Sequence, residues 1–364
     1  MINPAIKDRN PYVPAFGTPP IAYIHRYNDE TKIINDFCSQ NAVPMSYMII
    51  GARGTGKTVL MHEMANRFET FPEWVVIRMN PNMDMLDSLM KKLAGHKKVT
   101  PVIKSMQINL SFFKIGIEMS SNQIRDVEDA ITEILRGLKK KEKRLLVIVD
   151  EATNTPSMRA FASAYQNLIG QKLPVYLLMT GLFENISNLK NEKNLTFLYR
   201  MPRIHLQPLD LTAISENYKE AFLLQDDEAE RMAAFTKGYS YAFQLLGDLA
   251  WQNDGYYQKE LDAYRSALNE MVYDKVWEEM TGLDRDTAYG IAVSKEGKVK
   301  EIREILGWDT NSFSPYRDRL LKRGILQTAR YGYLEMALPY FKGYVLEHYN
   351  GRLKQYRGDL PEDL

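Results

Sequence analysis

The length, composition and charge of this chain exclude several classes of protein. Its 364 residues are 45% hydrophobic and 26% charged, values typical of an ordinary globular protein with two or three domains. A net charge of +1 argues against a globally basic nucleic-acid coat protein, although a local basic face is still allowed. The single cysteine excludes an internal disulfide. Because the chain lacks a signal-like apolar region and any run approaching about 18 apolar residues, we expect a cytoplasmic protein with no membrane partner.

The first elements of the chain are an arm, a helix and a strand. Residues 1–20 contain five prolines and predict an extended arm rather than a helix. Residues 29–41 place apolar side chains at helical spacing and predict an amphipathic helix. Residues 46–50 form a short apolar run, which predicts a buried strand.

A glycine-rich stretch follows this strand and matches the pattern G-x-x-x-x-G-K-T in full. Its glycines let successive backbone N–H groups turn towards phosphate oxygens, and the helix that follows brings its positive dipole end to the same place. We therefore predict a nucleotide phosphate site, in which Lys57 neutralises the β- and γ-phosphates and takes part in catalysis, and the Thr58 hydroxyl binds Mg²⁺. An ordinary glycine turn is the alternative, and the flanking strand and helix argue against it. The predicted phosphate-binding residues are Gly51, Ala52, Arg53, Gly54, Thr55, Gly56, Lys57 and Thr58.

Strands and helices then alternate along the chain. Apolar runs at residues 74–80, 145–149 and 174–180 predict buried strands, and helical patterns lie between them. This alternation predicts an α/β fold with a doubly wound parallel sheet. Residues 104–119 alternate with period two, and we predict a β-hairpin inserted into the sheet domain.

Two acids close the strand at residues 145–149. Asp150 and Glu151 follow it directly, at the carboxyl edge of a parallel sheet, where ligands bind. Asp150 is placed to hold Mg²⁺, and Glu151 to orient or deprotonate a water that attacks the γ-phosphate. An apolar run that ends in Asp-Glu is weak evidence alone, but it is strong evidence downstream of a phosphate-binding loop.

Two further side chains are candidates for this chemistry. Thr180 ends the next apolar strand, where its hydroxyl can bond the attacking water or the γ-phosphate; the alternative is a threonine that opens a turn at Gly181. Arg200 is the first candidate, and Arg203 the second, for a cation that stabilises the charge on the γ-phosphate in the transition state, a cation that often comes from a neighbouring subunit. An arginine in a surface salt bridge is the alternative for Arg200.

The second half of the chain is predicted to be helical. Residues 211–271 contain four amphipathic helices, and we assign residues 208–272 to a helical lid. Residues 273–350 predict three short helices and a hairpin that turns at Tyr331 and Gly332, the pattern of a winged helix. The sheet domain then covers residues 21–207, and residues 351–364 form a tail.

The winged helix has a local excess of basic residues. Phosphate contacts with DNA are one use of this excess, and protein contacts or packing within the chain are the alternative. The candidate DNA-binding residues are Arg317, Arg319, Lys322, Arg323 and Arg330.

Taken in order, these pieces resemble an AAA+ P-loop ATPase of the origin-recognition-like and archaeal-type group, with a C-terminal winged helix. The resemblance covers nearly the whole chain. It implies ATP and ADP as ligands, Mg²⁺ as cofactor, and a homo-oligomer or protein partner that completes the ATP site. The segments that carry it are NPYVPAFG (10–17), GARGTGKT (51–58), LVIVDE (146–151), MTG (179–181), FLYR (197–200), GYSYAFQLLG (238–247) and YRDRLLKRG (316–324).

The chain departs from this group in two places. Relatives usually carry Gly-Arg before the first helix, where this chain has Ile24, His25 and Arg26. The arm residues Tyr23, Ile24 and Arg26 are candidates for covering the adenine, and ordinary packing on the core is the alternative. Many AAA+ proteins also carry a lid arginine that senses the γ-phosphate, and residues 238–243 contain none. This second departure favours slow, switch-like hydrolysis over a fast motor.

The resulting hypothesis is an ATP-binding, Mg²⁺-dependent ATPase that acts as a nucleotide-controlled switch and engages DNA through its winged helix. The alternative is a signalling or regulatory switch whose winged helix mediates protein contacts. A small-molecule kinase is disfavoured, since it explains neither Asp150 and Glu151 followed by Thr180 nor the helical second half.

Overall fold

The structure, a computed structural model, divides the described chain into two compact units. The sheet unit comprises His25–Ile50 and Lys57–Leu206, and the helical unit comprises Met1–Ile24, Gly51–Gly56 and Gln207–Leu364. Within these units the structure describes residues 2–3, 8–15, 20–39, 44–106, 127–181, 198, 200–351 and 353.

The sheet unit is built on five parallel strands in the order β2-β3-β4-β1-β5. The four longer strands consist largely of apolar residues and are buried on both faces, as expected when helices cover a parallel sheet. The predicted parallel α/β sheet is therefore confirmed. The strands are β1 (Ser46–Ile50), β2 (Trp74–Met79), β3 (Arg144–Val149), β4 (Val175–Gly181) and β5 (Arg203–His205).

Helices pack on both faces of this sheet. Helices α1 and α2 share one hydrophobic cluster with alternate strand residues such as Ile49, and α3 to α6 share another cluster that contains Met48 and Ile50. The period of two along a strand sends these neighbours to opposite faces. The helices are α1 (Tyr27–Cys38), α2 (Lys57–Thr70), α3 (Met85–Gly95), α4 (Thr100–Ser105), α5 (Val127–Lys140) and α6 (Pro156–Gly170).

The strand register brings the functional ends of three strands together. Strand β4 lies between β3 and β1, with Met179 beside Val149 and Thr180 beside Ile49. The residues that follow β1 and β3 therefore leave the same edge of the sheet, on either side of Thr180. This edge is where ligands bind in parallel α/β folds.

The helical unit has one continuous hydrophobic core. Several helices begin at capped positions: Asp210, Thr281 and Asp309 each accept a hydrogen bond from a first-turn N–H. The α-helices are α7 (Leu211–Phe222), α8 (Asp226–Ala234), α9 (Ser240–Gln252), α10 (Leu261–Leu268), α11 (Asp274–Glu278), α12 (Gly282–Val293), α13 (Val299–Leu306), α14 (Thr310–Lys322) and α15 (Phe341–His348). A 3-10 helix (Tyr257–Glu260) and a π-helix (Asn269–Tyr273) flank α10.

The end of this unit contains the helices and hairpin predicted from the sequence. After α12 to α14 come the antiparallel strands β6 (Leu326–Arg330) and β7 (Tyr333–Met336), with a fully exposed Tyr331 at the turn. Asp309 caps α14, where its side chain accepts a hydrogen bond from the Ser312 N–H. The predicted boundary at residue 272 remains a proposal, because residues on both sides of it share one core.

The N-terminal arm packs into the helical unit. Tyr12 is 2% exposed, stacks on Phe222 and donates its hydroxyl to Asn217 Oδ1 at 2.8 Å. Gln244 accepts from the Val13 N–H and donates to the Ala22 carbonyl. These contacts pack Tyr12, Val13 and Ala22 on the helical unit, and the adenine contact of Tyr23, Ile24 and Arg26 stays a prediction.

Two sequence expectations fall mainly outside the described residues. The predicted hairpin covers residues 104–119. Its first two residues belong to helix α4, and residues 107–119 are not described. Most of the predicted tail is likewise outside the described ranges. Among the described helices, none has both the length and the apolar character needed to span a bilayer.

Candidate nucleotide site

The glycine-rich stretch connects β1 to α2, as its sequence predicts. Strand β1 ends at Ile50 and helix α2 begins at Lys57. Between them, Gly54 and Gly56 have φ values of 76° and 87°, a left-handed conformation that glycine adopts without a steric cost. This explains why the loop needs glycine at these two positions.

Asp150 is the centre of a hydrogen-bonded cluster at the carboxyl edge of the sheet. We call Thr58, Asp150, Glu151 and Thr180 the acid cluster. One carboxylate oxygen, Asp150 Oδ1, accepts three hydrogen bonds. The donors are Thr58 Oγ1 at 3.2 Å, the Glu151 N–H at 3.0 Å and the Thr180 hydroxyl. The structure thus brings together three side chains that the sequence assigns to metal binding and catalysis, with the backbone N–H of Glu151 bonded beside them.

The acid cluster has the donor set that Mg²⁺ prefers. Thr58 and Asp150 offer only oxygen atoms, and their hydrogen bond shows that both can reach one position. No group of three metal-binding His, Cys, Asp or Glu side chains occurs among the described residues. Mg²⁺ does not require one, since it commonly combines one or two protein oxygens with water and substrate phosphates. The residues therefore fit the predicted ion.

Glu151 has an unusual backbone conformation. Its φ is 50°, in the left-handed region that costs a non-glycine residue about 1–2 kcal/mol. The Glu151 N–H donates to both Asp150 Oδ1 and Thr180 Oγ1 at 3.0 Å, and these bonds help to hold the turn. The side chain is exposed, so it is open to a water and a substrate. Strained residues of this kind occur often at functional sites.

Thr180 joins the two acids through its hydroxyl. It is completely buried near the end of β4, where its hydroxyl donates to Asp150 and accepts from the Glu151 N–H. In this conformation Thr180 orients the acids. Its predicted contact with the γ-phosphate or attacking water stays a prediction.

The two candidate arginines lie near β5. Arg200 is exposed in a short helical turn, and Arg203 is the first residue of β5, half-buried, in register with Met48. Residues 182–197, which precede them, are outside the described part of the chain. The exposed Arg200 is accessible to a second molecule, but its role remains a prediction.

Sequence reasoning missed the residues that contact the glycine-rich loop within the helical unit. Residues 239–241, where α9 begins, donate hydrogen bonds to the carbonyls of Arg53, Gly54 and Thr55. Tyr239 and Tyr241 look like ordinary core residues in the sequence, and both are indeed buried. The only sequence signal was the missing lid arginine in this segment.

The candidate DNA-binding residues fall into two groups. Arg319 binds Asp284, which is 1% exposed, and Arg323 is itself 7% exposed and binds Glu279. Burial of Arg323 argues against a direct phosphate contact in this conformation. The other three candidates reach the surface. Arg317 pairs with the adjacent Asp318, Arg330 lies 3.8 Å from Glu296, and Lys322 is exposed.

Comparisons with known families match two separate parts of the chain. Residues 28–199 match a family described as an ATPase domain predominantly from Archaea. Residues 270–345 match a family described only as a domain of unknown function. No curated protein sequence is significantly similar to this chain.

Solved structures share the fold over nearly the whole chain. The Walker-type ATPase PABY2304 of Pyrococcus abyssi is 15% identical, with 89% of this chain and 96% of that chain covered and a TM-score of 0.61. The ORC2 protein of Aeropyrum pernix, in ADPNP and ADP complexes, is 12% identical, with 92% and 95% covered and a TM-score of 0.58. At these identities the likeness establishes the fold alone. The family match alone assigns residues 28–199 to an ATPase domain found predominantly in Archaea.

Proposed function

We propose that this protein binds ATP and hydrolyses it slowly with Mg²⁺, and that its nucleotide state controls engagement of DNA. The observation that carries the enzymatic part is the acid cluster. Thr58, the last residue of the phosphate-binding motif, donates a hydrogen bond to Asp150, and Glu151 is exposed next to Asp150. This combination fits phosphoryl transfer to water.

The chain's own residues supply four functions in this proposal. Lys57 and the loop N–H groups bind the phosphates, and Thr58 and Asp150 would hold Mg²⁺. When bound, the ion would neutralise charge on the phosphates. Glu151 orients a water and takes its proton. Thr180 keeps both acids in place through its two hydrogen bonds.

Lys57→Ala tests the nucleotide site. Removing the ammonium group that neutralises the phosphates is expected to weaken ATP binding by about 100-fold or more, because charge-assisted contacts to phosphate are among the strongest hydrogen bonds. Titration of the purified full chain with ATP and with ADP measures this. Lys300→Ala, at an exposed lysine, is the matched control. Unchanged affinity in Lys57→Ala would contradict the site.

The proposed DNA surface consists of Arg317, Lys322 and Arg330. Exposed ion pairs such as Arg330 with Glu296 are weak, so a phosphate can replace the carboxylate. Gel-shift titration of the full chain with duplex DNA at low and moderate salt tests the surface. We expect binding that weakens with salt and is reduced in a Lys322→Ala, Arg330→Ala double variant. The absence of salt-dependent binding would remove DNA from the proposal.

The buried pairs favour a second candidate, a switch whose C-terminal region contacts proteins. Arg319 forms an ion pair with Asp284, and Arg323 forms one with Glu279. Fewer cations are therefore available to DNA than the sequence predicts. Gel filtration with ATP and with ADP separates the candidates when combined with ATPase assays. A nucleotide-dependent change in size without any response to DNA supports the protein-contact switch.

A further inference from the structure

Three consecutive carbonyl groups of the glycine-rich loop are held by three consecutive residues of the helical unit. We call the loop Gly51–Gly56 the phosphate loop and residues 239–241 the clamp segment. The hydrogen bonds run from Tyr239 Oη to the Arg53 carbonyl at 2.5 Å, from the Tyr241 N–H to the Gly54 carbonyl at 3.0 Å, and from Ser240 Oγ to the Thr55 carbonyl at 2.9 Å.

These bonds orient the loop's N–H groups. In a trans peptide unit the carbonyl and the next residue's N–H point in opposite directions. Holding the carbonyls of residues 53–55 on the clamp segment therefore turns the N–H groups of Gly54, Thr55 and Gly56 to the other side. The Thr55 N–H also makes a long 3.4 Å bond to the Ala52 carbonyl. A phosphate loop builds its anion-binding concavity from successive backbone N–H groups, so the bonds to the clamp segment act on the groups that would bind phosphate.

The clamp segment approaches the loop so closely that only glycine fits opposite it. A Cβ atom at Gly54 would lie 2.1 Å from Tyr239 Oη and 3.0 Å from Tyr241 Cβ. Tyr239 is 5% exposed, and burial raises the pKa of its phenol well above the usual range, so it remains a donor at all physiological pH values. The contact therefore joins a buried phenol donor to a backbone carbonyl.

A second set of contacts fixes the start of the same loop. Arg53 lies 3.5 Å from Glu279, whose other carboxylate oxygen binds the buried Arg323. A Cβ atom at Gly324 would be in van der Waals contact with Ala52, 3.4 Å from its Cβ. The loop therefore contacts both the start of α9 and the pair formed by Glu279 and Arg323.

We propose that Tyr239 and Ser240 are positioning residues, which hold the phosphate loop in the conformation that binds the phosphates of nucleoside di- and triphosphates. This inference rests on the proposed nucleotide-binding function. The inference gives a role to the clamp segment, which lacks a γ-phosphate-sensing arginine. The clamp segment would act on the backbone that binds the phosphates common to ATP and ADP. Both nucleotides should therefore depend on it equally.

Variants that remove single hydroxyl groups test the inference. In the full chain, Tyr239→Phe and Ser240→Ala should each weaken ATP and ADP binding by about three- to tenfold, the effect of one lost hydrogen bond, and the double variant by more. Turnover at saturating ATP should change by less than about twofold. Ser240→Thr keeps a hydroxyl and should retain affinity. Tyr331→Phe and Ser266→Ala, at exposed positions, are the matched controls.

Amide hydrogen exchange separates positioning from general stability. Exchange at Gly54, Thr55 and Gly56 should quicken in the double variant, while the cores of both units keep their protection. Unchanged affinity in the double variant, tighter binding, or a loss confined to ATP would each overturn the inference. Wild-type protein that binds no nucleotide, or binds it independently of Lys57, would instead refute the proposed function.

Discussion

The acid cluster and the phosphate loop differ in the groups that would carry out their functions: side chains in the acid cluster and backbone groups in the phosphate loop. In the acid cluster the acceptor is a side chain: one oxygen of Asp150 accepts hydrogen bonds from two threonine hydroxyls and from the backbone N–H of Glu151. In the phosphate loop, the backbone is the functional group, and Tyr239 and Ser240 bind its carbonyls. Side-chain chemistry leaves a motif in the sequence, whereas support of a backbone does not.

This difference predicts different consequences of mutation. Changes in the acid cluster should mainly slow hydrolysis and leave nucleotide bound. Changes at the phosphate loop should mainly weaken binding of ATP and ADP alike. The following variants test this division, starting with a residue that belongs to neither group.

The largest effect is expected from Arg200→Ala. If Arg200 reaches the γ-phosphate of a neighbouring molecule, its loss should slow turnover by about 1,000-fold or more, the usual effect of such an arginine. Binding of ATP to the monomer should be unchanged, as titration can measure. Arg136→Ala, at an exposed arginine on α5, is a suitable control. Weaker ATP binding by the Arg200 variant would instead indicate a role within the same chain.

Glu151→Gln should slow hydrolysis by about 100-fold or more while ATP remains bound, since an amide cannot accept the proton of the attacking water. Single-turnover assays with a parallel binding titration measure both quantities. Glu142→Gln is closely matched, because Glu142 is also exposed and has a φ of 54°. Hydrolysis that persists in the Glu151 variant would remove this residue as the base.

Gly54→Ala tests the other side of the comparison. The new methyl group would collide with Tyr239, so we expect at least about tenfold weaker binding of both nucleotides. Gly332→Ala is the control: Gly332 has a similar φ of 81°, but no atom lies within 4 Å of the added Cβ. It should lose about 1–2 kcal/mol of stability from strain and keep its affinity. Equal nucleotide affinity in the Gly54→Ala and Gly332→Ala variants would contradict a role of the phosphate-loop backbone in binding.

Thr180→Val should have the smallest effect. It removes a hydroxyl that donates to Asp150 and accepts from the Glu151 N–H, while the side-chain volume is nearly preserved. We expect about three- to tenfold slower turnover and a stability loss of about 1–3 kcal/mol, because both hydrogen bonds of the Thr180 hydroxyl are lost. Steady-state kinetics and denaturant unfolding provide the two measurements. A selective loss of ATP over ADP affinity would indicate direct contact with the γ-phosphate.

The sequence was informative where residue type and spacing determine the chemistry. The glycines, Lys57 and Thr58 predicted a strand-loop-helix unit, and the acids after β3 predicted a cluster at the sheet edge; the structure contains both. The order of the strands was beyond the sequence. Nothing in the strand at residues 46–50 indicates that it pairs with both β4 and β5, because strand pairing depends on non-local packing.

The C-terminal region shows a second limit of sequence reasoning. Counting charges predicted a basic surface, but it could not reveal that Arg319 and Arg323 bind acids from α12 and the segment before it. Ion pairing depends on which helices meet, and Asp284 and Glu279 lie 35 and 44 residues away from their partners. The clamp segment was missed for a related reason, since a backbone carbonyl can accept from any residue that the fold brings near it.

At Glu151 the residue that we propose for hydrolysis is not the residue that would be most stable in this backbone conformation. Glycine relieves the strain of a positive φ without cost, so Glu151→Gly should relieve about 1–2 kcal/mol of strain that Glu151→Ala would keep. A selection for heat resistance alone would therefore favour glycine at position 151 and discard the carboxylate that we assign to hydrolysis. A thermostable but inactive population, enriched in glycine at this one codon, is the expected signature of such a trade-off.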